Sequence, residues 1–89
     1  MPTTDDGEVL TPTMIRAARA LLNMSQSQLA SELGVTKRTV IRYEDEARLD
    51  VRREAVQKKI REVLEKHDIE FLFPVGNTGE GVRFGKRRR

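Results

Sequence analysis

Gly34 and the residues on either side of it constrain the fold of this chain more than any other stretch. Two short helical periodicities meet there, Gln26 to Leu33 before the glycine and Lys37 to Tyr43 after it. Glycine is the residue that lets a chain turn tightly at such a junction. Ala30, four positions earlier, supplies the small side chain that two steeply crossing helices need where they approach each other. Val35 and Val40 supply the apolar face of the second helix. A pair of helices folded tightly around Gly34 is therefore the frame to which the rest of the chain is fitted.

The surrounding punctuation supports those limits. Thr11 suits an N-cap and Pro12 the first helical position, where a missing N–H costs nothing. Leu10 and Ile15 match a hydrophobic staple, and Met14, Ile15, Ala18, Leu21 and Leu22 continue at helical spacing until Asn23 breaks the run. Ser25 with Gln28 forms a capping box, stapled by Met24 and Leu29. Thr36 caps the next helix, with Val35 and Val40 as its staple. After the charged connector Glu44 to Asp50, a fourth helix is expected from about Val51 to His67, with Asp50 as cap. Its apolar stripe is Val56, Ile60, Val63 and Leu64, and its polar face is strongly basic.

From Ile69 the period changes from helical to alternating. Ile69, Phe71 and Phe73 read as one strand, residues 74–81 are rich in turn formers, and Val82 to Phe84 reads as a second strand. A lone hairpin is unstable in water, so its aromatic face must bury against the fourth helix or against another copy of the protein. Phe71, Phe73, Val82 and Phe84 are accordingly expected to complete the core and to contribute a dimer contact, the alternative being core completion alone. The resulting organisation is an acidic, mobile N-terminal tail over residues 1–10, a helical domain over 11–68, a hairpin over 69–84 and a basic tail over 85–89. That tail reads either as a solvated end or as an arm that wraps DNA.

Composition limits the chemistry. With 89 residues there is room for one small domain, and burial through self-association is a common supplement at this size. There is no cysteine, so disulfides and thiolate metal sites have no raw material, and the single histidine has no second one to join it at a metal site. His67 reads as a helix-terminal surface residue. No segment is long and apolar enough for a membrane span or signal peptide, and the default compartment is the cytoplasm. No enzyme, metal or cofactor is expected, and no small-molecule effector is evident. The net charge of +3 suits a nucleic-acid partner without specifying one.

The steep helix pair is the pattern of a helix-turn-helix, whose second helix enters the DNA major groove. On a wheel of about 100° per residue, Val40 and Tyr43 face the first two helices while Arg38 and Arg42 face away. An arginine fork matches the O6 and N7 acceptors of guanine, so Arg38 and Arg42 are expected to read bases, with Lys37 reaching a base or phosphate. Ile41 either touches a thymine methyl or lies at the rim of the core. Phosphate contacts are expected from Gln26 and Ser27, where free backbone N–H groups begin a helix, and from Thr36, Thr39 and Arg48. Arg16 and Arg19 are either solvated or phosphate ligands. The acidic run from Glu44 to Glu46 opposes this reading unless it points away; the bland alternative pairs Arg42 with Glu46 and Glu44 with Arg48 as weak surface pairs, which can open on binding.

Across Gln26 to Glu44 the chain resembles the Cro/C1-type helix-turn-helix family, also called the xenobiotic-response-element or phage-repressor-like family. The likeness extends more loosely over residues 11–68, and the Ile-Glu-Phe and Gly-Val-Arg segments are similar to small bacterial members. The resemblance implies a mainly α, four-helix lambda-repressor-like domain, here closed by a short C-terminal β-hairpin in place of the family's usual fifth helix. It implies a sequence-specific and usually homodimeric transcription regulator, with Gln26 on a phosphate and Lys37, Arg38 and Arg42 at the base-reading positions. The expected partner is double-stranded DNA, bound as an inverted repeat by a homodimeric repressor in which no further domain is needed. The competing reading is a protein-interaction module on the same fold, an antitoxin, anti-activator or coactivator, using the Phe-rich hairpin as its surface.

Overall fold

Local capping sets each helix start in the N-terminal half of the computed structural model, which describes residues 8–45, 47 and 53–86. Helix α1 runs Pro12–Leu22, with the Thr11 side chain accepting from the Met14 N–H and proline in the first turn. Helix α2 runs Gln26–Leu33 behind a complete capping box. Ser25 N–H donates to Gln28 Oε1 at 2.7 Å, and Gln28 N–H donates to Ser25 Oγ at 3.0 Å. Helix α3 runs Lys37–Tyr43, capped by Thr36. All three have the limits expected from the sequence.

The turns between them close in the same way. Asn23 and Gly34 both adopt left-handed backbone, with φ of 56° and 74°. After α1, Met24 N–H bonds the Arg19 carbonyl at 2.9 Å; after α2, Val35 N–H bonds the Ala30 carbonyl at 3.0 Å. Each bond satisfies a carbonyl that the helix end leaves orphaned. A glycine carries the left-handed conformation at Gly34 without the steric cost a side chain would add.

Helix α4 starts later than expected. It runs Glu54–Lys66, with Arg53 as an extended N-cap whose side chain makes no capping bond. The expected cap Asp50, and Val51, lie outside the described residues. Ile60, Val63 and Leu64 are buried along its inner stripe, with Val56 half-buried beside them. They join Leu10, Met14, Ile15, Ala18, Met24, Leu29, Ala30, Leu33 and Val40 in one core. Leu21 departs from the expected α1 stripe and is exposed.

The folded unit also reaches into the segment read as a tail. Leu10 is fully buried, and Gln57 on α4 holds both its backbone groups: Leu10 N–H donates to Gln57 Oε1 at 2.7 Å, and Gln57 Nε2 donates to the Leu10 carbonyl at 3.1 Å. Residues 1–7 lie outside the described residues.

Strand β1 (Ile69–Leu72) pairs antiparallel with β2 (Gly81–Phe84), placing Ile69 opposite Phe84 and Phe71 opposite Val82. Those four side chains share the inner face, because alternate residues of a strand point the same way. On the outer face Arg83 Nε meets Glu70 Oε1 at 2.9 Å. The hairpin packs against two helices: β1 against α4, as expected, and β2 against α1, which was not. Its base is clasped at Asp68, a left-handed residue (φ 69°) whose carbonyl accepts from Gly85 N–H at 2.7 Å and whose carboxylate accepts from Lys86 N–H at 3.1 Å. A Cβ at position 85 would sit 3.0 Å from Asp68 Oδ1, so glycine permits the clasp. Phe71 is buried, while Phe73, Val82 and Phe84 pack half-buried on the core. The Arg61 guanidinium also lies 5.0 Å from the Phe73 ring centre, a cation–π distance.

Candidate nucleic-acid interface

Helix α3 is short, and its two sides differ sharply. Val40 is fully buried and Tyr43 is half-buried on the core. Lys37, Arg38, Ile41 and Arg42 are exposed, as the wheel requires once Val40 is fixed inward. Among the described residues, neither Lys37 nor Arg38 has a hydrogen-bond or ion-pair partner. Three cations and one isoleucine thus form the outer crest of a helix whose orientation is fixed by the turn at Gly34.

Thr36 and Thr39 lie at the start of that helix and hold each other. The Thr36 hydroxyl accepts from Thr39 N–H at 3.2 Å, and the two hydroxyls are 3.0 Å apart. Their first role is to cap α3. Ser27 is exposed in the first turn of α2, and Gln26 beside it is half-buried. Arg48 and Glu46 lie outside the described residues, as therefore do the Arg48 phosphate contact and the alternative pairs Arg42–Glu46 and Glu44–Arg48.

Glu44 is the residue that sequence reasoning misjudged. It is only 6% exposed, the one buried charged residue of the described chain. Arg19 on α1 grips it with a fork: Nε lies 2.6 Å from Oε2 and Nη2 lies 2.9 Å from Oε1. The third arm, Nη1, donates to the Met24 carbonyl at 2.9 Å. Arg16 Nη1 donates to the Glu44 carbonyl at 2.5 Å, and Gln26 Nε2 donates to Glu44 Oε1 at 3.1 Å. One carboxylate therefore joins α1, the start of α2 and the end of α3. The bonds to Glu44 raise the Arg19 pKa above the ordinary arginine value, against the opposing effect of burial, with the carboxylate's charge adding to the rise.

The arrangement has an electrostatic consequence. A carboxylate at the end of α3 on the surface would repel a polyanion. Turned inward onto Arg19, it is neutralised, and the cations of α3 face outward. Arg16 and Arg19, read as solvated or phosphate-binding, instead serve the scaffold. Only half of the signal was present: Glu44 lies four residues after the buried Val40, and Arg19 lies four after Ile15 and next to Ala18, which sets both on the edge of a buried stripe without naming the partner.

His67 ends α4 and places Nε2 2.8 Å from Glu32 Oε1 on α2, a helix-to-helix tie rather than a bare surface group. Among the described residues, no group of His, Cys, Asp and Glu side chains is placed to hold a metal ion. No helix among them is long and apolar enough to cross a membrane.

A tight helix pair, with the second helix packed on one side and cationic on the other, defines a helix-turn-helix protein. Residues 15–53 match the model of a family described as helix-turn-helix. That stretch is thus similar to the Cro/C1-type helix-turn-helix family, whose members are DNA-binding transcriptional regulators. A comparison with curated proteins gives no match.

Proposed function

We propose that this protein is a sequence-specific transcriptional regulator of the cytoplasm. In this reading it is a homodimeric repressor that lays one α3 helix per half-site into successive major grooves of an inverted repeat. Half-site centres would be about 34 Å apart. The observation that carries the reading is the outer crest of α3, where Lys37, Arg38 and Arg42 are exposed together while Glu44 is withdrawn onto Arg19. Arg38 and Arg42 read base edges. Lys37 reaches a base or phosphate, and Gln26, Ser27, Thr36, Thr39 and Arg48 meet the backbone. Gln26 is held by Glu44 at the start of α2, where unpaired N–H groups favour a phosphate. Repression by occupancy requires only this surface.

Dimerisation is assigned to the hairpin residues that remain half-open, Phe73, Val82 and Phe84. Phe71 is closed into the core and is better suited to holding the hairpin in place. The rival reading, a protein-interaction module, would use that same apolar face.

Titration of a short duplex at several salt concentrations tests the proposal. A surface that neutralises several phosphates gives log K falling linearly with log salt, with a slope of about −0.9 per phosphate on duplex DNA. Saturable binding with that dependence and a preference among sequences is expected. Binding that is absent, or indifferent to sequence, would contradict the proposal.

A further inference from the structure

Three large apolar side chains are exposed among the described residues: Leu21 at 40%, Ile41 at 46% and Val75 at 74%. Single exposed apolar residues are ordinary on a protein surface. Ile41 differs in its position. It stands on the outer side of α3, four residues after Lys37, three after Arg38 and next to Arg42. Residues spaced by three and four share a helix face, so Ile41 lies within the cationic crest. Helix formation does not select it, since β-branched isoleucine has no advantage in a helix over the lysine or arginine beside it. The core does not need it, because Val40 and Tyr43 already fill the inner side of α3.

A crest that is cationic at three positions and apolar at one is complementary to a surface that is anionic and polar with one apolar point. The major-groove edge of duplex DNA has that character. Thymine alone among the four bases presents a methyl group there, beside acceptors that match lysine and arginine. We propose that Ile41 reads a thymine methyl in each half-site, next to the base pairs engaged by Arg38 and Arg42. This rests on the DNA reading above and adds to it a base and an atom: the 5-methyl carbon of one thymine, removed from water by the Ile41 side chain.

The methyl can be deleted without altering any hydrogen bond by replacing thymine with deoxyuridine. In a duplex carrying the sequence selected by the wild-type protein, each thymine is replaced in turn and affinity is measured at fixed salt. One position per half-site is expected to lose roughly three- to fivefold, the worth of one methyl group removed from water. Ile41→Ala should bind the unmodified duplex more weakly by a similar factor and should no longer distinguish thymine from deoxyuridine at that position. Ile41→Val should retain the distinction. Ile41 is half-exposed, so a thermal melt of each variant should match wild type. Saturable, sequence-dependent binding that no thymine replacement weakens would overturn the inference while leaving the DNA reading intact. Undiminished methyl sensitivity in Ile41→Ala would do the same. Absence of sequence-dependent binding by the wild-type protein would overturn both.

Discussion

Arg16 and Arg19 on α1 and Arg38 and Arg42 on α3 are the same residue type in helices of the same domain, yet they are placed in opposite ways. The α1 pair turns toward Glu44, and Arg19 closes on its carboxylate at 2.6 Å. The α3 pair is exposed. What separates them is the carboxylate. An arginine beside a buried acid is held as scaffold, since removing either partner strands a charge away from water. An arginine exposed on the outer face of α3 is placed where an outside anion can reach it. A count of positive charges near α3 would credit all four to DNA; the geometry commits Arg16 and Arg19 to Glu44.

The comparison can be broken from the scaffold side first, where the effect is largest. Glu44→Ala should destabilise the fold by about 3 kcal/mol, because Arg19 loses its partner in a largely dry site. Chemical denaturation reads this directly, and replacing both residues together with apolar ones should recover much of the loss. A Glu44→Ala protein as stable as wild type would mean the network is ornamental.

From the other side, Arg38→Ala and Arg42→Ala should leave stability nearly unchanged. Each should cost roughly 1–3 kcal/mol in operator binding and relax specificity at one base pair per half-site. If either melted like Glu44→Ala, the division between the two pairs would fail. Lys37→Ala is expected to weaken binding modestly; if it meets only a phosphate, the loss is the same on every sequence and the salt slope falls by about one. The smallest effect is expected from Arg83→Ala, which removes a fully exposed cross-strand pair. Neither stability nor DNA binding should change measurably.

Much of this domain could be read from local chemistry. Thr11, Ser25 and Thr36 with their staples gave α1, α2 and α3 their starts, and Asn23 and Gly34 their ends, because a cap and its helix are neighbours in sequence. The outward placement of Lys37, Arg38 and Arg42 followed from periodicity once Val40 was inside. The misjudged features depend on distant partners. Glu44 meets Arg19 across 25 positions, and Gln57 meets Leu10 across 47. Neither pairing can be inferred from the residues alongside. The hairpin lies between these cases. Its alternation was legible, but the packing of β2 on α1 depends on the layout of the whole domain. The late start of α4 had no capping side chain to mark it.

Selection of bound sequences from random duplex DNA, run in parallel for wild type and for the Arg38→Ala, Arg42→Ala double variant, tests the central claim most directly. Wild type is expected to enrich an inverted repeat with half-site centres about 34 Å apart and a guanine in each half-site. The double variant should lose enrichment at those guanines while still binding DNA weakly. The same enriched sequence from both proteins, or none from wild type, would contradict the account.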